Sequence, residues 1–344
     1  MKYSVGVMSP GTTERVEEAV RAVLPAGLRV LAKGGPRGMT ELDVGTGRLG
    51  VAWIGEGWLG DLRRILEDRP THLDLVVARR MSPGARAAAI AAGLGWVDES
   101  GAAEVVLPGL VVSRSGRREP KVRGAPRWTP SVVGTTEALL LGVRPTVAEV
   151  ERSTGLSAGA ATKALSTLTA LGLLHAGAAR GRGSAREIVD RNALLQAYAA
   201  AARSALRALA LRVGVVGDLV GDLVDELARL GRRWDVNGIG WAATGAAAAS
   251  VLAPYLTEVS ALDVFVDAPT PATLDAVAER SGLKPIEGGR LVLRPFPTPV
   301  TQRLCGPVAG IRVAPWPRVY ADLRESGVRG EEAAEHLLEV VDRG

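Results

Sequence analysis

The sequence of 344 residues contains a single cysteine, Cys305, and only three histidines, at positions 72, 175 and 336. One cysteine cannot close a disulfide within the chain, and scattered histidines without a second cysteine do not form the ligand cluster of a metal site. These shortages exclude a zinc finger and a dithiol redox motif. We expect neither a metal nor a bound cofactor.

Long apolar segments are missing as well. A membrane-spanning helix needs roughly 18 consecutive apolar residues, and the stretch that comes nearest, residues 242–256, is shorter. Residues 1–10 hold one lysine and a short apolar run, which is too short for a signal peptide. We therefore expect a cytoplasmic protein with no membrane contact, whose 47% hydrophobic residues can form the cores of two or three domains.

Lysine is scarce, with 5 residues against 37 arginines, a bias that accompanies the alanine and glycine excess of a GC-rich genome. The position of the positive charge is more informative than its amount. Residues 110–190 contain 12 Lys and Arg against 6 Asp and Glu, a net charge of +6, while the whole chain carries 42 against 37, a net charge of +5. A localised basic segment indicates a polyanionic partner, since evenly spread charge would indicate only solubility.

The pattern of apolar residues predicts an α/β multidomain protein. Residues 1–113 form an α/β domain, residues 114–130 a basic linker rich in Arg, Gly and Pro, residues 131–202 a mainly helical domain, and residues 203–344 a second α/β domain. Helices are predicted over residues 12–24, 58–67, 82–92, 132–141, 147–154, 158–171, 192–211, 242–256 and 331–341. Strands are predicted over residues 28–32, 41–44, 49–54, 73–78, 105–113, 173–176, 187–190, 261–266 and 291–294.

Residues 146–171 have the spacing of a helix-turn-helix. Thr146 and Glu149 predict a capping box, in which the hydroxyl accepts a free backbone N–H and the carboxylate bonds back to the cap, so that a helix starts at residue 147. This helix ends at Gly155, and Ser157 caps the next helix after a three-residue turn. Such a short turn makes the two helices cross steeply, which leaves the second one projecting.

The second of these helices, residues 158–171, has two contrasting faces at helical spacing. Its apolar face consists of Ala161, Ala164, Leu165, Leu168 and Leu171. Its other face is small, polar and basic, with Ala158, Gly159, Thr162, Lys163, Ser166 and Thr167. Small side chains allow close approach to a major groove, and Thr and Lys can contact base edges and phosphates.

An Arg-Gly loop, residues 179–186, lies between the two short strands that follow, at the position of the wing in a winged helix. Its glycines suit a hairpin tip, and its arginines suit phosphates or the minor groove. The order of these elements predicts a central winged helix-turn-helix that binds double-stranded DNA, and a winged helix that binds protein is the alternative. The predicted DNA-binding residues are Arg127, Ser157, Ala158, Gly159, Thr162, Lys163, Ser166, Thr167, Arg180, Arg182, Ser184 and Arg186.

This segment resembles the DNA-binding part of the AbiEi-type antitoxins of type IV toxin–antitoxin systems. The resemblance extends over residues 130–344 through short motifs at residues 241–249, 252–255, 263–267, 283–289 and 330–335. It implies transcriptional repression, often of the protein's own operon. It further implies an alternative role, in which the chain neutralises a cognate nucleotidyltransferase toxin.

The predicted order of elements in residues 1–113 resembles a restriction-endonuclease-like core. Active members of that class carry an Asp on the second strand and Glu-x-Lys on the third, which bind metal and activate water. Asp43 matches the first position, but Ala52 and Ile54 stand where Glu and Lys are required. We therefore expect a degenerate, catalytically inactive domain, with Asp74 and Glu104 as structural carboxylates.

The C-terminal domain, residues 203–344, resembles a minimal nucleotidyltransferase. Such enzymes need a Gly-Ser turn and two close carboxylates to hold magnesium. Here Ala246 follows Gly245, and Asp263 and Asp267 would lie about 13 Å apart on one face of a strand. We expect a domain for assembly or partner binding, not an enzyme.

The sequence as a whole predicts a DNA-binding transcriptional regulator that represses by occupying an operator as a homodimer. The alternatives are an antitoxin that holds a toxin and an enzyme, either a nuclease that uses the N-terminal domain or a nucleotidyltransferase that uses the C-terminal domain.

Overall fold

The computed structural model describes residues 10–25, 28, 30–35, 39–44, 47–107, 110–115, 126–176, 186–205, 210–215, 223–255 and 259–343. The chain divides into two compact units. Unit 1 comprises Met1–Arg123 and Ser326–Glu331, and unit 2 comprises Gly124–Glu325 and Glu332–Gly344. The chain is a mixed α/β protein, as the sequence predicted, and it has two large mixed sheets, one in each unit.

Unit 1 contains a seven-stranded sheet whose strands lie in sequence order, from β1 to β7. Strands β3, β4 and β5 are parallel, and the remaining neighbours are antiparallel. The elements are α1 (Pro10–Val23), β1 (Leu31–Gly34), β2 (Thr40–Asp43), β3 (Arg48–Trp53), α2 (Leu59–Glu67), β4 (Leu75–Ala78), α3 (Pro83–Ala91), β5 (Gly95–Asp98), β6 (Ala102–Leu107) and β7 (Leu110–Ser115).

Both faces of this sheet are buried at its centre. Leu75 and Val77 of β4 pack with α1 on one face, whereas Val76 and Ala78 pack with α2 and α3 on the other. Because neighbouring side chains of a strand point to opposite faces, a parallel strand covered on both sides becomes apolar throughout. This explains why β4 has the sequence Leu-Val-Val-Ala.

The predicted single strand over residues 105–113 is wrong. The structure has a hairpin there, with β6 paired antiparallel to β7 and Leu107 opposite Leu110. Pro108 and Gly109, between the strands, are a turn signal that this prediction overlooked. Strand β5 was also missed, because it has only four residues and follows α3 closely.

Unit 2 begins with three helices and a hairpin and continues into its own seven-stranded sheet. The first elements are α4 (Pro130–Leu140), α5 (Val147–Thr154), α6 (Ala158–Ala170), β8 (Leu174–Ala176), β9 (Arg186–Ile188) and α7 (Arg191–Ala205). The later elements are β10 (Leu211–Val215), α8 (Leu223–Val236), β11 (Trp241–Thr244), α9 (Gly245–Leu252), β12 (Leu262–Val266), α10 (Pro271–Arg280), β13 (Leu283–Pro285), β14 (Leu291–Pro295), α11 (Pro299–Leu304), β15 (Gly306–Val308), β16 (Ile311–Val313) and α12 (Trp316–Leu323). The last helix, α13 (Val328–Arg343), begins in the part of the chain assigned to unit 1 and belongs to unit 2 from Glu332 onward.

The sheet of unit 2 has the strand order β13-β10-β14-β12-β11-β16-β15. Strand β12 pairs parallel with β14, and β11 pairs parallel with β16, while the other neighbours are antiparallel. Helix α12 packs against both α7 and α9. Within the described residues, every helix falls short of the length and apolarity needed to cross a membrane.

Two predicted helices of unit 2 have wrong boundaries. Residues 242–256 are not one helix, since β11 lies between two strands and gives way to α9 at Gly245, whose φ of +57° a residue with a side chain rarely adopts. Of the helix predicted over residues 192–211, the structure describes α7 as far as Ala205, and Leu211 belongs instead to a strand, Leu211–Val215, between β13 and β14. In both segments a strand forms because it pairs with strands from distant parts of the chain.

Candidate nucleic-acid interface

The helices α4, α5 and α6, called here the three-helix segment, are set by local capping. Thr129, Thr146 and Ser157 each accept a hydrogen bond from the backbone N–H three residues later, at the start of α4, α5 and α6. Gly155 ends α5 in the left-handed conformation, with φ of +71°. These caps fix the lengths of α5 and α6 and the short turn between them, as the sequence predicted.

The predicted capping box at Thr146 is only half correct. The Thr146 hydroxyl accepts the Glu149 N–H, but the Thr146 N–H donates to the carbonyl of Arg144. The Glu149 carboxylate instead binds Arg152 at 2.6 Å and Arg144 at 2.7 Å. Hydrogen bonds from Arg152 and Arg144 hold the pKa of Glu149 below its ordinary value, so that this surface keeps two arginines around one ionised carboxylate.

Helix α6 has the two faces that the sequence predicted. Ala161, Ala164, Leu165 and Leu168 are buried, and Leu171, just beyond the helix, is half-buried. On the opposite face Thr167 is half-buried, and the exposed residues are Ser157, Ala158, Gly159, Thr162, Lys163 and Ser166.

The threonine hydroxyls of α6 donate within the helix. Thr162 donates to the carbonyl of Ala158 at 2.7 Å, and Thr167 donates to the carbonyl of Lys163 at 2.9 Å. Each hydroxyl oxygen keeps acceptor capacity, and each side chain keeps its methyl group. Thr162 can therefore accept a hydrogen bond from an adenine or cytosine amino group, or contact a thymine methyl group.

The hairpin behind α6 pairs β8 with β9 in antiparallel register, with Ala176 opposite Arg186. Arg186 reaches α6, where its Nη2 lies 3.5 Å from the Ser166 Oγ. Its Nε is buried and has no hydrogen-bond partner within the described part of the chain. Arg180, Arg182 and Ser184 lie outside the described residues, and Arg127 is exposed just before α4.

A buried polar cluster joins α4 to later parts of unit 2, which sequence patterns did not reveal. Glu137 of α4 accepts hydrogen bonds from Tyr198 of α7 at 2.6 Å and from Thr301 of α11 at 2.8 Å. Burial raises the pKa of Glu137 from its ordinary value near 4.5 to about 7, although both hydroxyls and Arg318 oppose the shift. The signal in the sequence was a glutamate on the apolar side of a helix, between Gly134 and Leu140.

Next to this cluster, α12 contributes an ion pair within the core. Arg318 donates to Asp322, with Nε 3.1 Å from Oδ2, and Thr244 donates to the same oxygen at 2.6 Å.

Asp263 pairs with Arg294 at 3.1 Å, and burial raises the pKa of Asp263 although Arg294 acts against it. Asp267 lies beyond the end of β12 and is exposed, so the expected common strand face for Asp263 and Asp267 is wrong.

The residues considered for nuclease chemistry, all in unit 1, differ in their exposure to solvent. Asp43 is exposed on β2, whereas Ala52 and Ile54 are buried in the core under α2 and α3. Asp74 accepts the Gly50 N–H at 2.9 Å, and Glu104 is exposed on β6. Among the described residues, no group of three His, Cys, Asp or Glu side chains could hold a metal ion.

Asp98 of β5 was not singled out by the sequence analysis. Among the described residues, it is the most buried carboxylate in the sheet of unit 1. It is fully buried and accepts backbone N–H groups of Met81, Ser100 and Ala102. A carboxylate with this many donors stabilises the loops around it.

Comparison of the chain with protein-family models, with curated proteins and with solved structures finds no match.

Proposed function

We propose that this chain is a sequence-specific DNA-binding regulator, a repressor that reads the major groove with α6. The observation that carries the proposal is the exposed face of α6, which is small near its start and carries Thr162 and Lys163 in the next turn. A recognition helix contacts bases with its N-terminal residues, and small side chains there allow the backbone to approach the groove.

Three further observations support the proposal. The turn between α5 and α6 is short, and the hairpin β8–β9 follows α6 directly, which is the order of a winged helix. Arg127, Arg144, Arg152 and Lys163 are all exposed on or beside the segment. Cations beside a helix with an exposed face suit the phosphates that flank a groove. A homodimer would place two such helices on two half-sites.

The test is selection of bound duplexes from a random pool by the full chain. We expect one motif to be enriched. In the double variant Thr162→Val/Lys163→Ala the motif should lose information at two or three adjacent positions, because both side chains face the bases.

The matched control is Thr169→Val/Lys284→Ala. Thr169 makes the same type of bond, to the carbonyl of Leu165 at 2.9 Å, but is half-buried, and Lys284 is exposed on β13. The control should enrich the wild-type motif. Failure of the wild-type protein to enrich any sequence would refute the proposal.

A further inference from the structure

Helix α11 follows the three-helix segment by more than a hundred residues, yet it packs directly on α4. Gly134 of α4 faces Val300, and a Cβ built on Gly134 would lie only 2.4 Å from the Cβ of Val300. Thr301 donates to Glu137 at 2.8 Å, and Thr298 caps α11 by accepting the Thr301 N–H at 2.9 Å. A glycine contact and a buried hydrogen bond thus fix α11 against α4.

The same short helix carries Arg303 to the turn between α5 and α6. The Arg303 Nε donates to the carbonyl of Ser153 at 3.3 Å. Its Nη1 lies 3.3 Å from the position that a Cβ on Gly155 would take. Gly155 ends α5, and Ser157 caps α6 two residues later, so this guanidinium lies at the turn before the proposed recognition helix.

The charge of Arg303 is exposed and is not neutralised by a carboxylate anywhere in the described ranges. Arg144 and Arg152 differ from it, since both bind Glu149. One bond to Ser153 holds the Nε of Arg303 and leaves the two terminal nitrogens free to donate elsewhere. A guanidinium that is already positioned loses less rotamer freedom when it binds phosphate.

We infer that Arg303 contacts a DNA phosphate beside the groove that α6 enters, so that the DNA-binding surface combines the three-helix segment with α11. This inference rests on the proposed function. Backbone contacts position a protein on the duplex and carry no sequence information, whereas base contacts specify. Arg303 therefore contributes affinity and register, and Thr162 and Lys163 contribute sequence preference.

The test is a salt titration of the full chain and its Arg303→Ala and Arg303→Lys variants on a selected duplex and on a scrambled duplex. In Arg303→Ala the slope of log K against log salt should fall by about 1, with similar factors of loss on both duplexes. Arg303→Lys keeps the charge and should retain the slope. Unchanged thermal unfolding in both variants shows that any loss is not a loss of fold.

The matched control is Arg280→Ala. Arg280 is also exposed and donates to a single backbone carbonyl, that of Asn237, but from α10. Its removal should leave the slope unchanged.

A wild-type slope in Arg303→Ala, or a loss confined to the selected duplex, overturns the inference. If Thr162→Val lowers sequence preference while Arg303→Ala changes nothing, only this inference fails. A wild-type chain that binds no DNA overturns the proposed function as well.

Discussion

Glu137 is the residue whose environment departs most from that of an ordinary surface carboxylate. Tyr198 and Thr301 both donate to it, and Arg318 and Asp322 act on it from α12 with opposite signs. The unfolded chain releases this proton near pH 4.5, while the folded protein keeps it up to about pH 7. The contribution of Glu137 to stability is therefore fully present below pH 4.5 and is lost as the pH rises to about 7.

We expect the free energy of unfolding to fall by about 3 kcal/mol across this range through Glu137 alone. Glu137→Gln removes the titrating group and should flatten the dependence, whereas Glu279→Gln, at an exposed position of α10, should not. Denaturant unfolding at several pH values between 5 and 8 measures the difference. Parallel curves for the wild type and Glu137→Gln would contradict the account.

At the scale of the element, the contact between α4 and α11 is an unusually close approach. We expect Gly134→Ala to destabilise the protein by about 1–3 kcal/mol, because the new methyl group would overlap Val300. Gly159→Ala is the matched control, since Gly159 is exposed in α6 and a Cβ built on it would meet no atom within 4 Å. This control should stabilise the protein by about 0.5–1 kcal/mol through helix propensity.

A double variant checks the mechanism. In Gly134→Ala/Val300→Ala the smaller side chain makes room for the new methyl group, so the combined loss should be less than the sum of the two single losses. Additive losses in equilibrium unfolding would show that the contact is not the cause.

The elements that the sequence predicted well are those fixed by neighbours in the chain. Helix α5 lies where the caps at Thr146 and Gly155 predict it, and α6 differs from its prediction by a single residue. Strands β10 and β11 were missed or assigned to helices, because Leu211–Val215 and Trp241–Thr244 depend on partners far along the chain. Arg303 could not be predicted for the same reason, since nothing near it in sequence indicates the contact with Ser153.

At the scale of the whole molecule, the sequence predicted the α/β class and a basic centre with a helix-turn-helix spacing. Nothing in the sequence indicated that α7, α11 and α12 pack around α4 within one compact unit, Gly124–Glu325 with Glu332–Gly344. The buried polar groups that join these helices, Glu137, Tyr198 and Thr301, are each ordinary when met alone in the sequence. Their role in joining the helices depends on tertiary contacts that the sequence does not reveal.

The central claim, sequence-specific DNA binding through α6, is tested most directly by titrating the full chain with its selected duplex and with a scrambled duplex. The wild type should prefer the selected duplex, and Thr162→Val and Lys163→Ala should each reduce that preference by about 1–3 kcal/mol, with less effect on scrambled DNA. Full preference in both variants, together with its loss in a variant outside α6, would contradict the account.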